Sequence, residues 1–252
     1  MNLDEVTRGL TATELLYLRD MQLAKTEANV LKVVPEKKTH AYLVLDRTIF
    51  HPKGGGQPSD RGRIASAQFI LEVKRAIFHR GVVVHWGRIT SGTPSVGPVS
   101  CELDWDYRYM LMRRHTAAHL LDHCLAMARR SRMETTDSWL GEPCYVGYRG
   151  ETPDSSIMDS AREMAEKMIK AGAHVKIDFL SPERSKQVLK DAPNFERLPD
   201  LKEVRTVTIE GCDPIPCGGT HVSDITEISK LSIVRTEALP EAMFRVHFSV
   251  DS

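Results

Sequence analysis

The sequence contains no run of about 18 apolar residues, so no membrane-spanning helix is expected. It has no excess of either charge. Lys+Arg and Asp+Glu each total 34, giving a formal net charge of zero. A general basic coat for nucleic acid is therefore excluded, and any nucleic-acid partner has to meet a local basic face. The segment Met1–Val6 lacks a basic stretch followed by an apolar one, so no secretory signal is expected. Cysteine is scarce and odd in number. Cys101, Cys124, Cys144, Cys212 and Cys217 are irregularly spaced, which argues against a disulfide framework and for a reducing, cytoplasmic setting. Internal repeats and low-complexity segments are also missing. What is present is ordinary for a globular chain: 252 residues, 41% apolar and 27% charged, long enough for two modest domains.

The pattern changes near residues 91–98, where Gly, Pro and Ser cluster between two apolar-patterned regions. Before the break, short apolar runs separated by turn residues predict strands at Val30–Val34, Ala41–Leu45, Phe69–Val73 and Val82–Trp86, with a short helix at Thr13–Met21. After it, Asp104–Arg130 carries helical periodicity without Pro or Gly, and Ser156–Ala171 predicts a second helix stopped by Gly172. Strands are expected at His174–Phe179, Val204–Ile209, Lys230–Arg235 and Phe244–Val250. The class is therefore α+β, with a small β-barrel-like domain over residues 1–95 and a second domain over 99–252.

Two short motifs carry metal-binding chemistry. His115-Thr-Ala-Ala-His119 places two imidazoles one helical turn apart on one face. Cys217-Gly-Gly-Thr-His221 supplies a thiol and an imidazole at the same spacing, with two glycines that let the backbone turn. Two such pairs make up a tetrahedral Cys/His set, and a thiolate favours zinc over magnesium or calcium. The pairs are far apart in sequence, so the ion would clip a helix to a distant loop. Four protein ligands suit a structural zinc, whereas hydrolytic sites keep one position open, so the residues alone leave structural and catalytic roles balanced. His123 continues the helical spacing but lies about 12 Å along the helix from His115, too far to share the ion. Cys124, Cys144 and Cys212 read as small apolar residues rather than ligands.

The same residues resemble a known family. Arg114-His115-Thr-Ala-Ala-His119-Leu120 and Cys217-Gly-Gly-Thr-His221-Val222 are similar to the paired zinc motifs of the alanyl-tRNA synthetase editing domain and of its free-standing relatives, the AlaX trans-editing proteins. Phe50-His-Pro-Lys-Gly54-Gly55-Gly56-Gln57-Pro58-Ser59-Asp60-Arg61-Gly62 resembles a segment of the domain that precedes that editing domain. Asp104-x-x-x-Arg108 and Asp213 are smaller echoes. The likeness runs from about Tyr17 to the C-terminus and leaves no room for an aminoacylation domain, so a free-standing protein of the longer AlaX type is expected. It implies a β-barrel-like domain followed by an α/β two-layer zinc-binding editing domain. It also implies hydrolysis of the ester joining serine, or in some cases glycine, to alanine-specific tRNA, with Zn2+ on His115, His119, Cys217 and His221. An alanine pocket rejects these two amino acids poorly, so a second site has to remove them. The sequence departs from the family at Ala118, where many synthetase editing domains carry Thr, and at Ile225–Ser229, so the amino-acid preference does not follow.

Around this centre, Gly54, Gly55, Gly56 and Gln57 lack a nucleotide P-loop pattern. They read either as a tight turn or as a loop facing the tRNA end, with Gln57 ordering a water or a ribose hydroxyl. Gly218 and Gly219 are candidate N–H donors to an oxyanion. Arg108, Arg113, Arg114, Arg129, Arg130 and Arg132 make the first long helix basic, and phosphate contact, with Arg108 and Arg114 foremost, is set against a solvated helix face. A non-catalytic tRNA-binding module with a structural zinc, and a zinc hydrolase of small amino-acid esters or amides, are the rival readings.

Overall fold

The computed structural model describes residues 2–190, 192 and 202–250. The chain divides into two compact units, one of residues 1–54 and 58–109, the other of residues 55–57 and 110–252.

In chain order the first unit holds α1 (Leu3–Thr7), β1 (Glu14–Leu15), β2 (Lys25–Glu36), β3 (His40–Leu45), β4 (Arg47–Thr48), β5 (Gly62–Ala65), β6 (Phe69–His79), β7 (Val82–Gly92) and β8 (Gly97–Leu103). Six of these strands close a barrel in the order β2-β3-β7-β6-β5-β8, every neighbouring pair antiparallel. Closure leaves no unpaired edge. Alternation along the strands fills the interior with Val30, Leu43, Leu45, Ile64, Leu71, Val73, Val83 and Val99. β6 keeps its inward face through Phe69, Leu71 and Val73. A register shift between Val73 and Arg75 then lets Ala76 rather than Arg75 turn inward. β7 begins with a continuous apolar run because both of its faces are covered. Val83 enters the barrel core, while Val82 and Val84 pack with Val44 and with Val6 of α1.

Two expectations change in this unit. Thr13–Met21 is not a helix. It forms β1 and a single 3-10 turn at Leu16–Leu18, because strand partners claim its polar groups. The Thr13 N–H donates to the Gly81 carbonyl, the Thr13 hydroxyl to Leu45, and the Glu14 N–H to Asp46. The Gly/Pro-rich stretch 91–98 is the β7–β8 turn, so β8, a barrel strand, extends beyond the break that the composition suggested.

The second unit begins within α2 (Trp105–Arg129) and continues with β9 (Glu134–Trp139), β10 (Tyr145–Arg149), α3 (Ser155–Ala171), β11 (Val175–Leu180), α4 (Pro182–Val188), β12 (Val204–Ile209), β13 (Ile215–Pro216), β14 (Leu231–Leu239) and β15 (Met243–Val250). A four-stranded antiparallel sheet runs β14-β15-β10-β9, and a smaller sheet runs β11-β12-β13. The core joins Ala117, Leu120, Leu121, Cys124 and Leu125 of α2 to Ala161, Ala165 and Ile169 of α3 and to Val146, Tyr148, Phe244, Val246 and Phe248 of the larger sheet. α3 starts where Asp154 accepts the Ile157 N–H and stops at Gly172, whose N–H returns to Met168 and Ile169, as the sequence led us to expect. α2 is buried on nearly all sides from Leu111 to Ala118, so its polar residues there need protein partners. No helix among the described residues is long and apolar enough to cross a membrane.

Candidate metal centre

The α2 spacing brings His115 and His119 onto one face, with ring centroids 5.0 Å apart. The loop after β13 carries Cys217 and His221 to the same place. His221 lies 4.3 Å from His115 and 5.0 Å from His119, centroid to centroid. The Cys217 Sγ is 3.5 Å from His115 Nε2 and 3.3 Å from His221 Nε2. The ligating atoms of all four residues lie within 4.8 Å of one another, so the group can hold one metal ion.

The hydrogen bonds behind these rings settle which nitrogen faces inward. His115 Nδ1 is 2.9 Å from Gln57 Oε1, and since that oxygen only accepts, Nδ1 carries the proton and Nε2 is left free. Thr116 donates its hydroxyl proton to the Met112 carbonyl, so at 3.2 Å its oxygen accepts from His221 Nδ1, and Nε2 of His221 is again free. Such outer partners fix ring orientation at metal sites. His119 is different. Both of its ring nitrogens are buried and have no hydrogen-bond partner. An unsatisfied buried imidazole is costly in a packed core, and a bound cation is the partner that would satisfy it. Burial, reinforced by the nearby Arg205, holds His119 down to about 4, so the ring is in the neutral form that ligates at ordinary pH. Burial pushes the Cys217 thiol up, while the Gly219 N–H and Arg205 draw it back toward the thiolate. The donor set and the orphaned ring both fit a metal ion.

Gln57 is fully buried, and both ends of its amide are bonded within the protein. Its Oε1 also accepts from the Thr220 N–H at 3.0 Å, and its Nε2 donates to the Thr220 hydroxyl at 2.9 Å. Gln57 thus orders the His115 ring and the Cys217–His221 loop. The turn that presents it depends on glycine. Gly55 and Gly56 have φ of +53° and +79°, and a Cβ at Gly56 would lie 2.1 Å from Ser138 Oγ. Gly54 and Gly55 are exposed. Gly219 is required by close approach, since a Cβ there would lie 2.1 Å from the His115 ring. Its N–H points at the Cys217 sulfur, 3.4 Å away, rather than at a vacant oxyanion position, while Gly218 faces open space.

The basic helix face also changes meaning. Arg108 is completely buried. Its guanidinium binds both oxygens of Asp60, the Ile49 carbonyl at 2.6 Å and the Met21 carbonyl at 3.1 Å. Arg114 bonds the Leu140 and Gly141 carbonyls and Glu142, and Arg113 the Glu227 and Ile228 carbonyls. The buried Arg108 guanidinium is thus held by acceptors of the protein itself, while Arg114 ties its terminal nitrogens to the Leu140–Glu142 loop. Asp104, the other half of the Asp-x-x-x-Arg echo, caps α2 by accepting from the Tyr107 N–H.

Three residues near the centre escaped the sequence reading. Thr116 and Thr220 sit inside the two metal motifs, which is the signal that points to them. Arg205, which bonds the Cys217 carbonyl and accepts the Cys217 N–H at its own carbonyl, has no motif to mark it. A cavity of about 230 Å3 borders His119 and is also lined by Asp122, His123, Met133 and Ile209.

Residues 8–107 match the family model for class II (A) tRNA synthetases, and residues 204–247 the model for the second additional domain of threonyl- and alanyl-tRNA synthetases. The chain is 30% identical over 250 residues to an alanyl-tRNA editing protein AlaX-M of Methanosarcina acetivorans, covering 94% of this chain and 99% of that protein. It is 29% identical to AlaX-M of Methanosarcina barkeri, with the same coverage of both chains. Against AlaX-L of Pyrococcus horikoshii it is 30% identical, over 94% of this chain and 57% of the relative.

Proposed function

The chain belongs to the AlaX family of alanyl-tRNA editing proteins, and from that premise we propose that it deacylates tRNA(Ala) carrying serine, and also glycine, at a zinc site made of His115, His119, Cys217 and His221. The observation that carries the proposal is the preassembled donor set. Two imidazoles have fixed tautomers, a third has no partner, and a thiol completes the group. Tetrahedral zinc with N and S ligands sets its donors about 3.5 Å apart, and the Cys217 sulfur stands 3.5 and 3.3 Å from two of the nitrogens. A zinc ion held there supplies Lewis-acid polarisation of the ester carbonyl.

The chain's own residues do the rest. Gln57 and Thr116 hold His115 and His221 in the ligating tautomer, so no reorganisation is needed when substrate arrives. Arg114 ties down the Leu140–Glu142 loop next to the turn that bears Gln57. The exposed Gly54 and Gly55, with Gly56, offer bare backbone to the 3′ end of a tRNA, and the exposed Gly218 is the candidate N–H donor to a developing oxyanion. The barrel, which closes with β8 ending at Leu103, and the metal-binding region after it divide the labour of tRNA binding and hydrolysis in the cytoplasm.

The test is a deacylation panel on zinc-loaded protein with Ser-, Gly- and Ala-tRNA(Ala). Faster release of serine and glycine than of alanine is expected, and equal rates would remove the editing reading. The closed four-donor set also suits a purely structural zinc in a non-catalytic tRNA-binding module. In that case Cys217→Ala unfolds the protein, so a folded but inactive Cys217→Ala variant argues for the hydrolase.

A further inference from the structure

The cavity beside the metal centre is bordered by one ligand, His119, and by polar groups that the metal site does not use. His119, Asp122 and His123 follow one another at i, i+3 and i+4 on α2 and so share a face, which borders this space of about 230 Å3. At ~30 Å3 per water, that is room for about seven or eight waters, enough for a small aminoacyl group. Met133 and Ile209 give it apolar walls. Arg132 and Asp213 also border it and balance one another in charge, leaving Asp122 as the surplus acid. The Asp122 carboxyl is not placed there by chance packing. Tyr148, wholly buried on β10, donates its hydroxyl to Asp122 Oδ1 at 2.5 Å, and the Tyr148 ring stacks on Phe244 at 5.2 Å. That bond takes one oxygen of the carboxylate and holds the group against the cavity wall.

We propose that Asp122 is the receptor for the α-ammonium of the aminoacyl group, with Tyr148 as its positioning residue. The inference rests on the editing reading and adds to it the feature that the site uses to grip its substrate. An aminoacyl ester carries its only full positive charge one bond from the carbonyl-bearing chain. The ester carbon and the ammonium nitrogen are only about 2.5 Å apart, but a hydrogen bond of about 2.8 Å from the ammonium to a carboxylate extends the reach to roughly the 5–6 Å that separates Cβ atoms at i and i+3 of a helix. Burial pushes the Asp122 carboxyl up to about 7, and a cation delivered beside it favours the charged form and gains a charge-assisted hydrogen bond. The arrangement selects for an aminoacyl ester with a free amine and against N-acylated or simple carboxylic esters.

Binding to zinc-loaded full-length protein tests this without turnover. The first probe is 3′-amino-3′-deoxyadenosine with serine joined through an amide. The second is the same compound with hydrogen in place of the α-amino group. Wild type is expected to prefer the first probe in titration calorimetry by about tenfold to a hundredfold, the range of a charge-assisted hydrogen bond. Asp122→Asn, which keeps shape and still accepts from Tyr148, is expected to bind both probes equally, with melting temperature and zinc content unchanged. Tyr148→Phe is expected to keep a reduced preference, which provides a second measurement should Asp122→Asn fold poorly. A wild type without preference, or an Asp122→Asn protein that keeps the full preference, overturns the inference while deacylation of Ser-tRNA(Ala) stands. A wild type that binds neither probe and deacylates nothing overturns the editing reading, and this inference with it.

Discussion

Each unit buries a cluster of polar side chains, and the two clusters are finished in different ways. In the barrel unit, Arg108 and Asp60 are both fully buried, and all three guanidinium nitrogens meet acceptors: the two carboxylate oxygens, the Ile49 carbonyl and the Met21 carbonyl. Asp60 in turn accepts the His51 N–H at 2.6 Å. In the second unit, Gln57 and Thr116 satisfy the outer nitrogens of His115 and His221, yet His119 keeps two buried nitrogens without a partner. The first cluster is complete as protein. The second is complete only with something added, and three nitrogens and a sulfur within 4.8 Å of one another specify a cation. A ring with both nitrogens buried and unsatisfied, set among other metal-ligating side chains, is thus a positive sign of a ligand site.

Three experiments would break or sharpen that contrast. The largest effect is expected from Arg108→Met, which leaves Asp60 buried without its cation and should cost about 3–5 kcal/mol in denaturant unfolding. The double variant Asp60→Leu/Arg108→Met should recover most of that loss. If the single variant is neutral, the barrel cluster is not the closed ion pair described above. Next comes metal loading. At a zinc concentration about a hundredfold above Kd, the protein should gain roughly 2.7 kcal/mol, seen as a rise in melting temperature. His119→Ala should abolish both the rise and the one-to-one zinc content, and equal melting of loaded and chelated wild type would remove the ligand requirement.

The smallest effect concerns His85, buried in the barrel between the Thr48 hydroxyl at 2.8 Å and the Leu43 carbonyl at 3.2 Å. Burial holds it down to about 4, against 6.5 when exposed. Because the unfolded chain takes up this proton first, the stability contributed by His85 is present above pH 6.5 and is lost as pH falls toward 4. At pH 5 the loss should be about 2 kcal/mol, read as the difference in pH slope between wild type and His85→Leu. A ring that titrates near 6.5 by NMR would show that the barrel does not bury it as a neutral group.

The course of the strands and helices was largely legible. β3, β7, α2, α3, β12 and β15 lie where period-two or period-3.6 patterning puts them, since their core faces are written in local alternation. β5, β9, β13 and α4 were not legible, being short or only partly buried, and Thr13–Met21 misled because distant strands claimed its hydrogen bonds.

Chemistry followed the same division. His115, His119, Cys217 and His221 could be read from spacing, because ligand type and helical repeat are local properties of a sequence. The Gly54–Gln57 motif could also be read, but its task could not. Whether an arginine reaches solvent or an internal carboxylate depends on what the rest of the chain packs around it, and Arg108 and Asp60 are separated by 48 residues. Gln57 meets Thr220 across 163 residues. Residue type and short-range periodicity therefore determined which groups this protein has available. Only long-range packing decided which of them are spent on one another and which are left free to act.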